Sequence, residues 1–267
     1  MIQPKPEIDE AILFIHAHLC DPLSLKQIAR HVGYSPYHFI RLFKAQTGLT
    51  PQYYISSARL QKAKELLLQT NLTVRDVALE IGQQSIGTFT TRFADKVGVT
   101  PAHFRDQHIL AETGLQSVLS ESREPFSTEI GPNGAIISGR VNAESPIHGV
   151  IFIGLFLRPI PDAIPAYGTL LTSPGPFRFS NVKPGTYYLM ATSVSSDMRS
   201  TDILLPHRTL RTRFHEPIVV SSHHQRIDKE VALYPPSMGD PPILISLPLL
   251  MQRFMARQRF FLEKKCP

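Results

Sequence analysis

The sequence predicts a multidomain protein with separate α and β parts: an all-α region carrying two helix-turn-helix units, followed by a small β-sandwich. Three observations lead there. A stretch within the first hundred residues is duplicated and keeps a helical period, short β-prone runs begin near residue 135, and 267 residues are enough for two cores. A hydrophobic fraction of 42% and a charged fraction of 19% match an ordinary globular chain and exclude wholesale disorder or a fibrous repeat.

The duplication is read by comparing the chain with itself. LSLKQIARHVG from Leu23 to Gly33 resembles LTVRDVALEIG from Leu72 to Gly82, a shift of 49. After one extra residue, Phe39, Phe43, Gly48, Thr50 and Pro51 recur as Phe89, Phe93, Gly98, Thr100 and Pro101. Solenoid arrays usually need three or more units, and two copies favour a paired motif.

Each copy spells helix, tight turn, helix. Ser24 and Thr73 are candidate N-caps, followed by Leu25, Ile28, Ala29 and Val32 in one copy and Val74, Val77, Ala78 and Ile81 in the other, all at one-face spacing. Gly33 and Gly82 stop these helices, and Ser35 and Ser85 can cap the next. Phe39 with Phe43, and Phe89 with Phe93, stand four apart and anchor one face of each second helix. Between the copies, Thr50 to Leu68 reads as one long helix that sets their spacing.

The face opposite the phenylalanines carries Ser35, Tyr37, His38, Ile40, Arg41 and Lys44 in the first copy. The second copy offers Gln84, Ser85, Gly87, Thr88, Thr91 and Arg92. These side chains suit a helix lying in a major groove, where arginine pairs bidentately with guanine and hydroxyls reach bases or phosphates. Polar residues on one amphipathic helix ordinarily only solvate it, but two copies in register point further. Arg41 is the foremost candidate for base discrimination.

Charge agrees without deciding the matter. The net charge is +6 and the pI about 9.4, which favours a polyanionic partner. The excess lies in residues 1–110 (12 Lys/Arg against 9 Asp/Glu) and 251–267 (5 against 1), while 111–250 are nearly neutral.

These residues closely resemble the AraC/XylS family of bacterial transcription regulators, over about Glu7 to Arg105. The resemblance rests on the duplicated segments, on S-x-x-x-F-x-x-R-F from Ser85 to Phe93, and on G-V-T-P-A-H-F-R ending at Arg105. It implies seven helices in the N-terminal domain, with Tyr37, Ile40 and Arg41 in the first reading helix and Gly87, Thr88 and Thr91 in the second facing DNA. One chain would then enter two successive major grooves, roughly 34 Å apart. Three departures stand out: Ile40 favours apolar contact with a thymine methyl, Gln83 replaces an aromatic after the glycine, and Gly87 and Thr91 are shorter than the side chains common in relatives. Weaker sequence reading by the second helix, and a differently packed second unit, are expected from them.

Past Ala111 the composition turns to Ser, Glu, Gly and Pro, as in a connection. Six β-prone runs follow: Ala135 to Val141, Gly149 to Leu157, Phe177 to Val182, Thr186 to Val194, Pro217 to Ser221 and Arg226 to Leu233. FRFSNVKPGTYYLMATS, a strand, a Pro-Gly turn and a second strand, resembles the prealbumin-like modules related to carboxypeptidase regulatory domains. Such a module binds an effector, pairs protomers or stabilises the chain. Tyr167, Tyr187, Tyr188 and Arg178 are the contacts an effector would use. The expected division is 1–111 for the DNA-binding domain, 112–134 for a linker, 135–240 for the β-sandwich and 241–267 for a basic tail. In that tail Leu247 to Lys265 forms an amphipathic helix with Leu250, Phe254, Phe260 and Phe261 on its apolar side.

Several classes are set aside. Cys20 and Cys266 lack metal-ligand spacing, and no metal or cofactor is expected; His207, His215, His223 and His224 follow no ligand pattern. No nucleophile elbow, zinc-protease motif or phosphate loop is present, so no enzyme is expected. The longest apolar run, Ile243 to Met251, is broken by Ser246 and Pro248 and is too short for a membrane span. The N-terminus carries no export signal, so a cytoplasmic location is expected. The expected partners are double-stranded DNA, RNA polymerase, and an effector or second protomer through the β domain.

Overall fold

The computed structural model describes residues 5–121, 134–144, 146–214, 216–222 and 225–265, with side chains described outside 121 and 261–265. The chain divides into two compact units, one of residues 1–105 with 237–244 and one of residues 106–236 with 245–267.

The first unit is helical: α1 (Pro6–Ala17), α2 (Leu25–His31), α3 (Pro36–Thr47), α4 (Pro51–Gln69), α5 (Val74–Glu80), α6 (Ile86–Val97) and α7 (Pro101–Arg105). The start signals work as read. Ser24 accepts from the Gln27 amide and Thr73 from the Asp76 amide, and each pair closes a reciprocal capping box. α3 and α4 open with proline after a capping hydroxyl, Ser35 and Thr50.

The two copies are clamped alike. On α4, Arg59 donates to the carbonyls of Leu19 (2.8 Å) and Asp21 (2.8 Å), just beyond α1. On α7, Arg105 donates to the carbonyls of Leu67 (3.0 Å), on α4, and Leu72. In each case an arginine on the helix after the motif ties off carbonyls at or beyond the end of the helix before it. The tie satisfies acceptors that a helix end leaves open and fixes the motif between its neighbours. Cores follow the same plan: Phe43 packs on Phe39 and Tyr54, and Phe93 on Phe89 and Phe104, with ring centroids 5.4–5.7 Å apart.

The second unit begins with α8 (His108–Glu121). The expected connection at 112–134 therefore starts as helix, and 122–133 lie outside the described residues. Ala111, Leu115 and Val118, at i, i+4 and i+7, are buried, a stripe that the polar composition around it conceals. The strands are β1 (Ala135–Asn142), β2 (Gly149–Phe156), β3 (Tyr167–Leu171), β4 (Pro176–Val182), β5 (Gly185–Ser195), β6 (Arg211–Arg213), β7 (Ile218–Val220) and β8 (Arg226–Ala232), with α9 (Ser200–Leu204) after β5 and α10 (Leu247–Lys265) last. One sheet runs β4-β1-β8 and the other β3-β2-β5-β6, with β7 also on β5. β1 pairs antiparallel with β4 but parallel with β8, so the first and last strands lie side by side after a crossover through the other sheet. A single apolar core takes residues from both sheets, among them Ile137, Phe179 and Val231 from one and Ile153, Leu189 and Ala191 from the other.

β2 is buried along its whole length, β3 is a five-residue edge strand and β6 is the charged triplet RTR; neither β3 nor β6 carries a run that pattern reading would find. The Pro-Gly turn between β4 and β5 is held by two tyrosines. The Tyr167 hydroxyl accepts from the Lys183 amide (3.0 Å) and donates to the Asn181 carbonyl (3.3 Å), while Tyr187 donates to the Lys183 carbonyl (2.9 Å). Those bonds give both tyrosines a structural task. α10 buries Leu247, Met251, Phe254 and Met255 and leaves Phe260 54% exposed, so its apolar side is rotated from the expected one; the Phe261 side chain lies outside the described residues.

The tail does not stand apart at 241–267: 237–244 belong to the helical unit and α10 to the other. The segment is rich in proline (Pro241, Pro242), which cannot donate from its backbone and leaves carbonyls for side chains to use. His215, His223 and His224 lie outside the described residues. Among the described residues no helix is long and apolar enough to cross a membrane.

Candidate nucleic-acid interface

The interface is built on the two helices that follow tight turns. In the first turn the Gly33 amide donates to the Arg30 carbonyl (3.1 Å) and the Tyr34 amide to Ala29 (2.8 Å); in the second, Gly82 donates to Leu79 (2.9 Å) and Gln83 to Ala78 (2.8 Å). Both glycines have φ of +73°. The turn backbones are therefore equivalent, and Gln83 changes a side chain without changing the backbone, while the surroundings differ: a Cβ on Gly82 would meet the Cys20 carbonyl at 3.5 Å and the Arg59 guanidinium at 3.7 Å. A Cβ on Gly33 would meet nothing within 4 Å, so the cost of Gly33→Ala is purely conformational. A loss of about 1–2 kcal/mol is expected in urea unfolding, from the left-handed backbone alone.

From these turns α3 and α6 project with opposite faces sharply divided. Phe39 and Phe43 are fully buried, whereas Tyr37 is 80% exposed, the most exposed large hydrophobic side chain among the described residues. Arg41 and Lys44 are also exposed and Ile40 half-buried; together with Tyr37 and Ala45 they line one shallow depression. His38 is half-buried and stacks on Tyr34, centroids 5.1 Å apart and rings 14° from parallel, which gives it a structural role on the flank of the face. Ser35 accepts from the His38 amide as the cap.

At the entry to α6 Gln84 and the cap Ser85, and on the helix Gly87, Thr88, Thr91 and Arg92, are all exposed. Ser85 accepts from the Thr88 amide (3.3 Å) and from the Thr88 hydroxyl (3.1 Å), so two of these side chains are engaged in the cap. Ile86, absent from the sequence-derived set, is 47% exposed at the first turn. An isoleucine at that position reads as core by type, and only its place in the helical phase, off the Phe89/Phe93 side, signals exposure. Lys96 is directed elsewhere: its ammonium donates to the Tyr53 hydroxyl (2.8 Å) and lies over that ring, tying α6 to α4.

Chemically, α3 offers a guanidinium, an ammonium, a phenol and an aliphatic group on one exposed strip, with no carboxylate on the helix to oppose an anion. α6 offers hydroxyls, an arginine and a glycine that brings the backbone close to whatever approaches, with Asp95 as its one acid.

Comparison with known proteins concerns this region. The family model described as a helix-turn-helix domain matches residues 28–107. The HTH-type transcriptional activator AarP of Providencia stuartii is 35% identical over 112 residues, which are 42% of this chain and 80% of AarP. The chain belongs to the AraC family of helix-turn-helix regulators. Another relative of this AraC-family chain is the HTH-type regulator YobQ of Bacillus subtilis, 36% identical over 96 residues, 36% of this chain and 40% of YobQ. The chain thus spans well under half of that relative. An AraC-type transcriptional regulator structure from Chromobacterium violaceum is 33% identical, covers 38% of this chain and 91% of its own, and has a TM-score of 0.37. The matched segment in this AraC-family chain ends at Gln107, before the β-rich unit begins to form its sheets.

Proposed function

We propose that this AraC-family chain is a sequence-specific DNA-binding transcriptional regulator, with α3 and α6 entering successive major grooves of double-stranded DNA. The observation that carries the reading is the division of α3: Phe39 and Phe43 at zero exposure on one side, Tyr37, Arg41 and Lys44 open on the other. The same division recurs on α6 after an equivalent turn. Arg41 reads a base, Tyr37 and Ile40 make apolar and phenolic contacts beside it, and Lys44 and Arg92 pair with phosphates. The capping hydroxyls Ser35 and Ser85, with Gln84, Gly87, Thr88 and Thr91, position the backbone on the duplex. His38 supports the reading face from its edge.

The DNA-binding part comprises residues up to Arg105. The β-rich unit, read as a prealbumin-like sandwich, is the regulatory part, binding an effector or pairing protomers; RNA polymerase is the further partner of such a regulator. No catalytic role is assigned.

Selection of bound duplexes from a random pool by the full chain tests this reading. A bipartite motif with segments about one helical turn apart is expected. Arg41→Ala should cost about 1–3 kcal/mol on the preferred duplex and relax one position of the motif. Lys44→Ala should weaken all duplexes alike and reduce the salt dependence by about one counterion. Recovery of no motif, with binding of unchanged salt dependence across sequences, favours a second reading in which the helical unit grips DNA with little specificity. The short, partly engaged side chains of α6 are the observation behind it.

A further inference from the structure

The β-rich unit carries an open cavity of about 510 Å³ whose lining comes from β1, β3, β4 and β8. Its volume falls in the range of small-molecule sites. Across the β4-β1-β8 sheet, Arg178, Ser138 and Asp228 stand in one row, and Pro176, Arg140 and Glu230 in the row two residues along. Both rows border the cavity. Positive charge therefore stands on β4 and β1 and negative charge on β8. The backbones of Arg178 and Asp228 are two strand spacings apart, about 10 Å.

Among the described residues no ion pair joins any two of these four charges. The carboxylates instead accept from neutral donors, Asp228 from the Ser138 hydroxyl (3.1 Å) and Glu230 from the Asn142 amide (2.6 Å). A second and independent observation concerns residues of the same lining. Thr169, only 6% exposed, has a buried hydroxyl without a hydrogen-bond partner, and the buried Arg178 Nε has none either; both residues line the cavity. Native interiors hold few such orphans, and two of them belong to residues at this cavity. Leu171 and Phe177 add apolar surface beside them.

We propose that this cavity binds a small zwitterion, an α-amino acid or short peptide. Its carboxylate lies on Arg178 and Arg140, its ammonium lies toward Asp228 and Glu230, and an apolar side chain rests on Phe177 and Leu171. A lone anion would leave the two carboxylates of β8 without a counter-charge, and a lone cation would leave the two guanidiniums so; one molecule carrying both charges meets both signs. The site deepens the effector reading of this unit and rests on that reading for its regulatory consequence, whereas binding itself is independent of DNA.

The test uses the full chain without DNA. Binding of the common α-amino acids and of glycyl-leucine, glycyl-phenylalanine and their reversed sequences is followed by saturation-transfer NMR and then calorimetry. At least one is expected to bind. Blocking its amine by acetylation, or its carboxylate by amidation, should each weaken binding tenfold or more. Arg178→Gln and Asp228→Asn should do the same with the thermal midpoint and DNA binding unchanged. The proposal is overturned if none of these molecules binds at millimolar concentration, if blocked and unblocked forms bind equally, or if both variants bind like the parent chain. Loss of DNA motif selection with zwitterion binding intact would count against the DNA reading alone.

Discussion

Phe43→Ala is expected to lower the stability of the helical unit by about 3–5 kcal/mol, the range for a large aromatic removed from a core that cannot collapse around the gap. Phe43 is fully buried and its ring meets Phe39 at 5.4 Å and, edge-on, Tyr54 at 5.5 Å. Removing it strips contacts from α3 and α4 at once, and the exposed face of α3 loses the anchor opposite it. The chain has no tryptophan, so the loss is best followed by helical circular dichroism during urea unfolding. Phe93→Ala should behave alike, because Phe93 stands between Phe89 and Phe104 at 5.7 Å each. A loss below about 1 kcal/mol at either position would mean that the cavity refills and that these pairs are not the anchors of their helices.

The equivalence of the two phenylalanine pairs was legible in the sequence because it rests on local spacing. Caps at Ser24 and Thr73, stops at Gly33 and Gly82 and the i, i+4 aromatics are all decided within a few residues. The β-rich unit was legible where strands are continuous apolar runs, as in GVIFIGLF of β2, and illegible where pairing with a neighbour makes the strand. Arg211–Arg213 is the clearest case: three residues, two of them charged, are a strand only because β5 lies beside them, and Arg211 is satisfied by the Pro206 and His207 carbonyls. Helix α8 was hidden for a related reason. Its stripe of Ala111, Leu115 and Val118 is only one residue wide, and its surroundings have the composition of a connection. In the candidate interface, residue type and phase identified exposed positions correctly for most of α3 and α6. They could not show that His38 stacks on Tyr34, that Thr88 is bonded to its own cap, or that Ile86 is open.

Nor could sequence reveal Lys64, whose environment is made by residues nearly two hundred positions away. On α4 the side chain is fully buried, with its ammonium donating to the Ile243 carbonyl (3.0 Å) and the Leu244 carbonyl (3.4 Å) and lying 5.4 Å from the centre of the Phe104 ring. It pins the returning segment 237–244 to the helical unit. Burial lowers its pKa from 10.5 to about 7, against a smaller upward pull from Glu65. An unfolded lysine keeps its proton up to about pH 10.5 while the folded one releases it near 7, so between those values the unfolded state holds more protons. Stability should therefore rise with pH in that window, by at most about 1.4 kcal/mol per unit, and Lys64 should add no further slope below it. The carbonyls and the Phe104 ring favour the ammonium, which makes this slope an upper bound. Lys64→Met keeps most of the volume and removes the proton, at the cost of two carbonyls left without their donor. Urea unfolding of both proteins from pH 6 to pH 10 should give a difference in stability that is flat up to about pH 7 and then moves steadily in favour of the parent chain. Parallel profiles across the whole range would show that Lys64 stays charged in the folded unit, held as an ammonium by the segment it anchors.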